Sequence, residues 1–326
     1  MMDNGNTAVD TEFTRNLSKQ IIDEVSKAVV GQYEFIEQLV VVLLTGGHVL
    51  IEGVPGLAKT LAAKAISKTV RADFKRVQFT PDLMPADIMG TKVYDTKSGS
   101  FYLRRGPLFT NIFLADEVNR TPPKTQAALL ESMEERSITI DGETHSLQEP
   151  FMVVATQNPV EYEGTYPLPE AQLDRFMMKL TVDYIPQKFE NILLEKYNSG
   201  FSSSRLEDAD IHAVCGLEEI ARCREEIQKV EVNSGIINYI TSIIRATRNS
   251  PALMLGASPR ASISLLLASK TFAAIQGRSF VVPEDVKDLA LPVLRHRVIL
   301  KPEAGMDGLS NDDIIRNILS KVEVPR

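Results

Sequence analysis

Gly53-Val54-Pro55-Gly56-Leu57-Ala58-Lys59-Thr60 follows a short aliphatic run, His48 to Glu52, and precedes a segment, Thr60 to Val70, in which apolar residues return at helical spacing. Strand, glycine loop and helix in that order make a phosphate cradle. Glycine permits backbone conformations that turn successive N–H groups toward one point, and the helix N-terminus adds partial positive charge there. Lys59 is placed to reach β and γ phosphates as a point charge, and the Thr60 hydroxyl to ligate Mg²⁺. The usual pattern has Gly immediately before the Lys, where this chain has Ala58, the smallest departure available.

Working outward, Asn111-Ile112-Phe113-Leu114-Ala115-Asp116-Glu117 is an apolar strand that ends in two carboxylates about 60 residues after the loop. Strand alternation points the two side chains in different directions. Asp116 is then suited to hold a Mg²⁺ shell, and Glu117 to activate a water as general base. Further apolar runs occur at Phe74 to Phe79, Phe151 to Ala155 and Met177 to Val182, with little polar alternation. Such runs suit strands buried on both faces of a parallel sheet. Thr156-Gln157-Asn158-Pro159 follows one of them and brings Asn158 to a strand end, where it would position the attacking water.

These elements predict an α/β fold, a P-loop NTPase αβα sandwich with a five-stranded parallel sheet over residues 1–186. Two β-hairpins interrupt it, Tyr94 to Leu103 around Ser98-Gly99 and Ser137 to Leu147 around Asp141-Gly142. After Ile185-Pro186 the pattern turns helical, which predicts a smaller all-helical domain over 187–326, with a loop at Ser202 to Ser204. Helices are also expected at Gln20 to Val30 and Tyr33 to Leu44.

Lys and Arg total 36 against 43 Asp and Glu, a formal net charge of -7, so stable nucleic-acid binding is not expected. The two cysteines, Cys215 and Cys223, lack zinc-ligand spacing and form no disulfide framework. The polar, acidic start from Met1 to Thr14 has no secretion-signal pattern, and Leu39 to Leu44 is too short to cross a bilayer. Both features predict a cytoplasmic protein without membrane insertion. His145, His212 and His296 are spaced as ordinary residues, and Met177-Met178 as core.

Four segments together resemble the AAA+ superfamily, and within it the MoxR-like family: Gly53 to Thr60, Leu114 to Arg120, Gln126 to Glu135, and Leu168 to Phe176. The resemblance covers nearly the whole chain. It implies ATP and Mg²⁺ as cofactors, an ATPase activity, an α/β nucleotide-binding domain and a helical lid. It implies Asn158 as first sensor of the γ-phosphate, Arg175 as an arginine finger reaching a neighbouring subunit, and Arg260 as second sensor in the lid. Val30, Gly31 and Gln32 correspond to the segment that holds adenine, and nucleotide contacts extend to Leu61. A ring, a hexamer in the family's usual state, and a client protein with a von Willebrand factor A domain follow from the same resemblance, as does chaperone-like maturation or cofactor insertion. A magnesium-chelatase-like ATPase subunit shares the insertions and sensors. Other readings are a nucleic-acid motor, which the acidic balance disfavours, and a nucleotide-gated module without turnover, which Glu117 disfavours. Arg104 and Arg105 beside the first hairpin are read as a solvated basic pair.

Overall fold

The computed structural model describes residues 10–159, 164–201 and 209–325, so the loop expected at Ser202 to Ser204 lies outside the described residues. Along the chain, α1 (Glu12–Ser26) and α2 (Tyr33–Thr45) lead to β1 (Val49–Glu52), α3 (Lys59–Thr69) and β2 (Phe74–Gln78). A short α4 (Pro85–Met89) opens the first hairpin, β3 (Gly90–Asp95) and β4 (Ser100–Arg105). Then come β5 (Ile112–Asp116), a 3-10 turn over Val118–Arg120, and α5 (Pro123–Glu135). The second hairpin, β6 (Ser137–Ile140) and β7 (Glu143–Ser146), precedes β8 (Met152–Gln157), α6 (Glu170–Leu173), β9 (Met178–Thr181) and α7 (Gln187–Asn198). The rest is α8 (Leu217–Gln228), α9 (Ser234–Asn249), β10 (Leu253–Leu255), α10 (Pro259–Ile275), α11 (Pro283–Leu294), β11 (Ile299–Leu300), α12 (Pro302–Met306) and α13 (Asn311–Lys321). Backbone contacts group these elements into two compact units, Ile21–Leu217 and the combination of Met1–Gln20 with Glu218–Arg326.

In the first unit five strands form one parallel sheet in the order β2-β5-β8-β1-β9. The central strands β5 and β8 are apolar and almost wholly buried because helices cover both faces. Leu50, Phe113, Phe151 and Phe176 meet in the core beneath them. β2 departs from the expected doubly buried strand. Lys75, Arg76 and Gln78 are exposed, and charged side chains on an edge strand discourage pairing with another sheet.

Both hairpins are antiparallel, and the turn of the second has Asp141 and Gly142 at φ 48° and 81°, as a two-residue turn with left-handed backbone requires. At the start of α1 the helix begins at Glu12, eight residues before the expected Gln20, because the apolar repeat extends back through Leu17. The guanidinium of Arg222 also lies 3.8 Å from the centroid of the Phe13 ring.

The second unit is helical apart from a small ribbon, β10 paired antiparallel with β11. Its core gathers Ile240, Ile244, Leu265, Leu289 and Ile315. The Asn233 side chain accepts from Ile236 N–H at 2.9 Å and so caps α9. Ser310 and Asp313 form a capping box on α13.

Candidate nucleotide site

The loop between β1 and α3 owes its path to particular residues. A Cβ on Gly53 would lie 2.7 Å from the Val182 carbonyl oxygen, and Gly56 has φ +87°, a conformation that favours glycine. Ala58 caps α3 at φ 59°, ψ 16°. The sequence's single departure from the motif therefore falls where the backbone is left-handed, at a cost of about 1 kcal/mol for a residue with a Cβ. Ala58→Gly is expected to raise the unfolding free energy by about 0.5–1 kcal/mol in urea titration while leaving nucleotide affinity within a few-fold. A loss of stability would show that the loop is not strained at this position.

Because β1 is flanked by β8, and β8 by β5, the loop stands beside the carboxyl ends of two neighbouring strands. In parallel α/β sheets that is where ligands bind. A cleft of about 840 Å³ opens there, lined by Pro55 to Leu61, Asp116, Glu117 and Asn158, and also by Val30 and Gln32. Gly31, Gly53, Val54 and Arg175 are not among the described residues that line it. Gly31 has φ +77°, and a Cβ there would meet the Phe189 side chain at 2.7 Å, so the backbone between Val30 and Gln32 lies tight against α7. The Gln32 side-chain amide donates to the Asp183 carbonyl oxygen at 3.0 Å.

Lys59 Nζ donates to the Gly53 carbonyl oxygen at 2.5 Å, so the ammonium stays over the loop. Asp116 ends β5 with both oxygens engaged. Its Oδ1 accepts from Thr156 Oγ1 at 2.6 Å, and its Oδ2 from Arg76 Nε and Nη2 at 3.1 and 2.7 Å. Glu117 diverges from Asp116 for a reason other than strand alternation: its backbone is left-handed, φ 57°, ψ 51°. Its N–H donates to Thr156 Oγ1 at 2.9 Å, and its Oε2 pairs with Arg120 Nη1 at 2.9 Å across the 3-10 turn. Asn158 is buried at the end of β8.

Arg175 is held by α5 of its own chain. Its Nη1 donates to the Leu130 carbonyl oxygen at 2.6 Å, and its Nη2 pairs with Glu134 Oε2 at 2.9 Å. Arg260 is exposed on the first turn of α10, in the other compact unit. Arg76 and Thr156, which touch the two acids, have no sequence motif of their own. Neither do Leu193, Tyr197 and Phe201, which add an apolar wall to the cleft. Their one sequence signal is position: Thr156 lies two residues before Asn158 at the same strand end.

Residues 48–178 match the model of the ATPase family associated with various cellular activities (AAA), and residues 245–318 match an AAA lid domain. Chaperone MoxR1 of Mycobacterium tuberculosis (strain ATCC 25618 / H37Rv) is 39% identical over 317 residues, 94% of this chain and 82% of that protein. The chain belongs to the MoxR family of AAA+ ATPases. Another relative of this MoxR-family chain, the uncharacterized protein YeaC of Bacillus subtilis (strain 168), is 45% identical over 304 residues, 93% of each chain. A crystal structure of a Cytophaga hutchinsonii ATCC 33406 protein, provisionally named an ATPase, is 43% identical, with a TM-score of 0.88 over 97% of both chains. Membership of this family implies nucleotide binding. Among the described residues no helix is long and apolar enough to cross a membrane.

Proposed function

We propose that the chain hydrolyses Mg-ATP within a ring of its own copies, a hexamer in the family's usual form, and uses the cycle to remodel, mature or load partner protein complexes in the cytoplasm. One observation carries the proposal: the glycine loop, Asp116, Glu117 and Asn158 all line one cleft at the carboxyl ends of adjacent parallel strands.

The residues present fit magnesium. Mg²⁺ is commonly held by one or two carboxylates together with substrate phosphates and water, and Thr60 with Asp116 supplies a donor set of that kind. Bound there, the ion would neutralise charge developing on the transferred phosphoryl group. Thr156 takes one of the two lone pairs of Asp116 Oδ1 and Arg76 takes both of Oδ2, which leaves one acceptor site, on Oδ1, toward the metal's water shell.

The remaining roles belong to this chain's side chains. Lys59 and the loop N–H groups bind the β and γ phosphates, with Gly53 to Leu61 shaping that contact. Val30, Gly31 and Gln32 hold the adenine, and Leu193, Tyr197 and Phe201 add an apolar wall to the same cleft. Glu117 takes the proton from a water that Asn158 orients. Arg175 and Arg260 add positive charge to the γ-phosphate, Arg175 across a subunit boundary. A chaperone role is supported by the name of the Mycobacterium relative. Partners with von Willebrand factor A domains, and residues 187–326 as the lid domain, rest on the family resemblance.

Mixing two inactive variants tests the ring. Arg175→Ala subunits retain the base and Glu117→Gln subunits retain the finger, so a mixture should turn over ATP severalfold faster than either variant alone. Turnover per subunit of the unmodified chain should also rise with protein concentration. No recovery on mixing would remove Arg175 as a trans-acting group, and no turnover at any concentration would favour a nucleotide-gated binding module.

A further inference from the structure

The two acids of the site share one hydrogen-bonding partner. The Thr156 hydroxyl donates to Asp116 Oδ1 at 2.6 Å and accepts the Glu117 N–H at 2.9 Å. Thr156 is 1% exposed, and it sits on the strand between β1, which leads into the glycine loop, and β5, which ends in the acids. Its register partner on β1 is Ile51, two residues before Gly53.

We infer that Thr156 is a positioning residue that sets the metal carboxylate and the general base together. A hydroxyl has one proton to give, and here it goes to Asp116 Oδ1. That bond fixes the carboxylate's rotation, with Arg76 gripping Oδ2 from the other side. A lone pair of the same oxygen receives the N–H of Glu117, a residue whose φ of 57° is uncommon for a side chain with a Cβ. The hydrogen bond holds this backbone in place, and the backbone decides where the Glu117 side chain starts. Any rotation of Thr156 about its Cα–Cβ bond would release both acids at once.

This inference rests on the proposed ATPase reading, and its test has an arm that does not depend on turnover. Thr156→Val keeps the shape and removes the hydroxyl, and Thr156→Ser keeps the hydroxyl. A fluorescent ATP analogue would be titrated into each protein in EDTA and in Mg²⁺, with thermal unfolding recorded alongside. Asp116 acts on the nucleotide through the metal, so all three proteins should bind equally in EDTA. The tightening produced by Mg²⁺ should shrink about ten-fold in Thr156→Val, the scale of one charge-assisted hydrogen bond, and persist in Thr156→Ser. Turnover should fall about 100-fold in Thr156→Val, chiefly in kcat, because base and metal are displaced together, and should stay within about three-fold in Thr156→Ser.

Equal losses in the serine and valine variants would overturn the inference, since the hydroxyl would then not be the cause. So would a parallel loss of affinity in EDTA, which would mean a general collapse of the loop, or an unchanged Mg²⁺ effect in Thr156→Val. Absence of turnover in the unmodified chain would defeat the ATPase reading while the binding arm still decided the role of Thr156.

Discussion

Glu117→Gln is expected to lower ATP turnover by about 10²–10⁴-fold while leaving ATP bound, the range by which a positioned general base accelerates proton transfer. Gln has the size of Glu but an amide in place of the carboxylate, so it cannot take a proton from water at neutral pH. The backbone that carries it is fixed independently of the side chain by the Glu117 N–H bond to Thr156. The substitution also breaks the ion pair with Arg120, whose side chain is 42% exposed, so the stability cost should be under about 1 kcal/mol. Single-turnover measurements with Mg²⁺, together with equilibrium binding of ATP, separate the two effects. Turnover within about three-fold of the unmodified chain would exclude Glu117 as the base, and loss of binding in step with turnover would give it a structural role.

The second large effect concerns stability. His48 lies at the entry to β1, buried, with Val153 N–H donating to Nδ1 at 3.0 Å and the Met133 carbonyl oxygen 3.1 Å from Nε2. An acceptor at Nδ1 and a carbonyl at Nε2 define a neutral ring protonated on Nε2. Burial, and the nearby positive charge of Arg136, push its pKa down from 6.5 to about 3, against a smaller opposing effect of the Met133 bond. The unfolded chain therefore binds a proton below pH 6.5 that the folded chain refuses until about pH 3. The stability due to neutral His48 is fully present above pH 6.5 and is lost as pH falls through that window, by up to about 1.4 kcal/mol per pH unit.

His48→Asn keeps an acceptor near Val153 N–H, removes the titration and gives up the Met133 bond. At pH 8 it should cost about 2–3 kcal/mol. Between pH 6.5 and 5, urea unfolding of the unmodified chain should weaken by about 2 kcal/mol more than that of the variant. Identical pH slopes would show that another group controls acid sensitivity.

The glycine loop, the acid pair and the five apolar runs are legible in the sequence because each is a local pattern. An aliphatic run buried on both faces needs no knowledge of its neighbours, and a loop that turns N–H groups to one point is specified by residues next to one another. The start of α1 is less legible, because the polar residues around Leu17 hide an apolar repeat that becomes visible only with its burial. The exposure of β2 is written in Lys75, Arg76 and Gln78, three polar residues in a strand of five, whereas its place at the sheet edge is set by the strand order.

Asp116 and Glu117 show the same division within one site. Their adjacency and their position at the end of an apolar strand are written in residues 111–117. What holds them comes from elsewhere in the chain: Arg76 from β2, Thr156 from β8 and Arg120 from the turn that follows. The divergence of the two acids comes from a left-handed backbone at Glu117, where alternation along a strand would have predicted it from the pleat.

By itself, then, the sequence determined the phosphate loop, the two acids and the alternation of strands and helices that makes this an α/β P-loop fold, since each is carried by residues close along the chain. Only the tertiary structure decided that β8 lies between β1 and β5, that Thr156 therefore joins both acids, and that α7 closes one wall of the cleft. The physical reason is range: hydrogen bonds and packing act over a few ångströms in space, and the order of strands in the sheet, which sets those distances, is settled by the packing of the whole core.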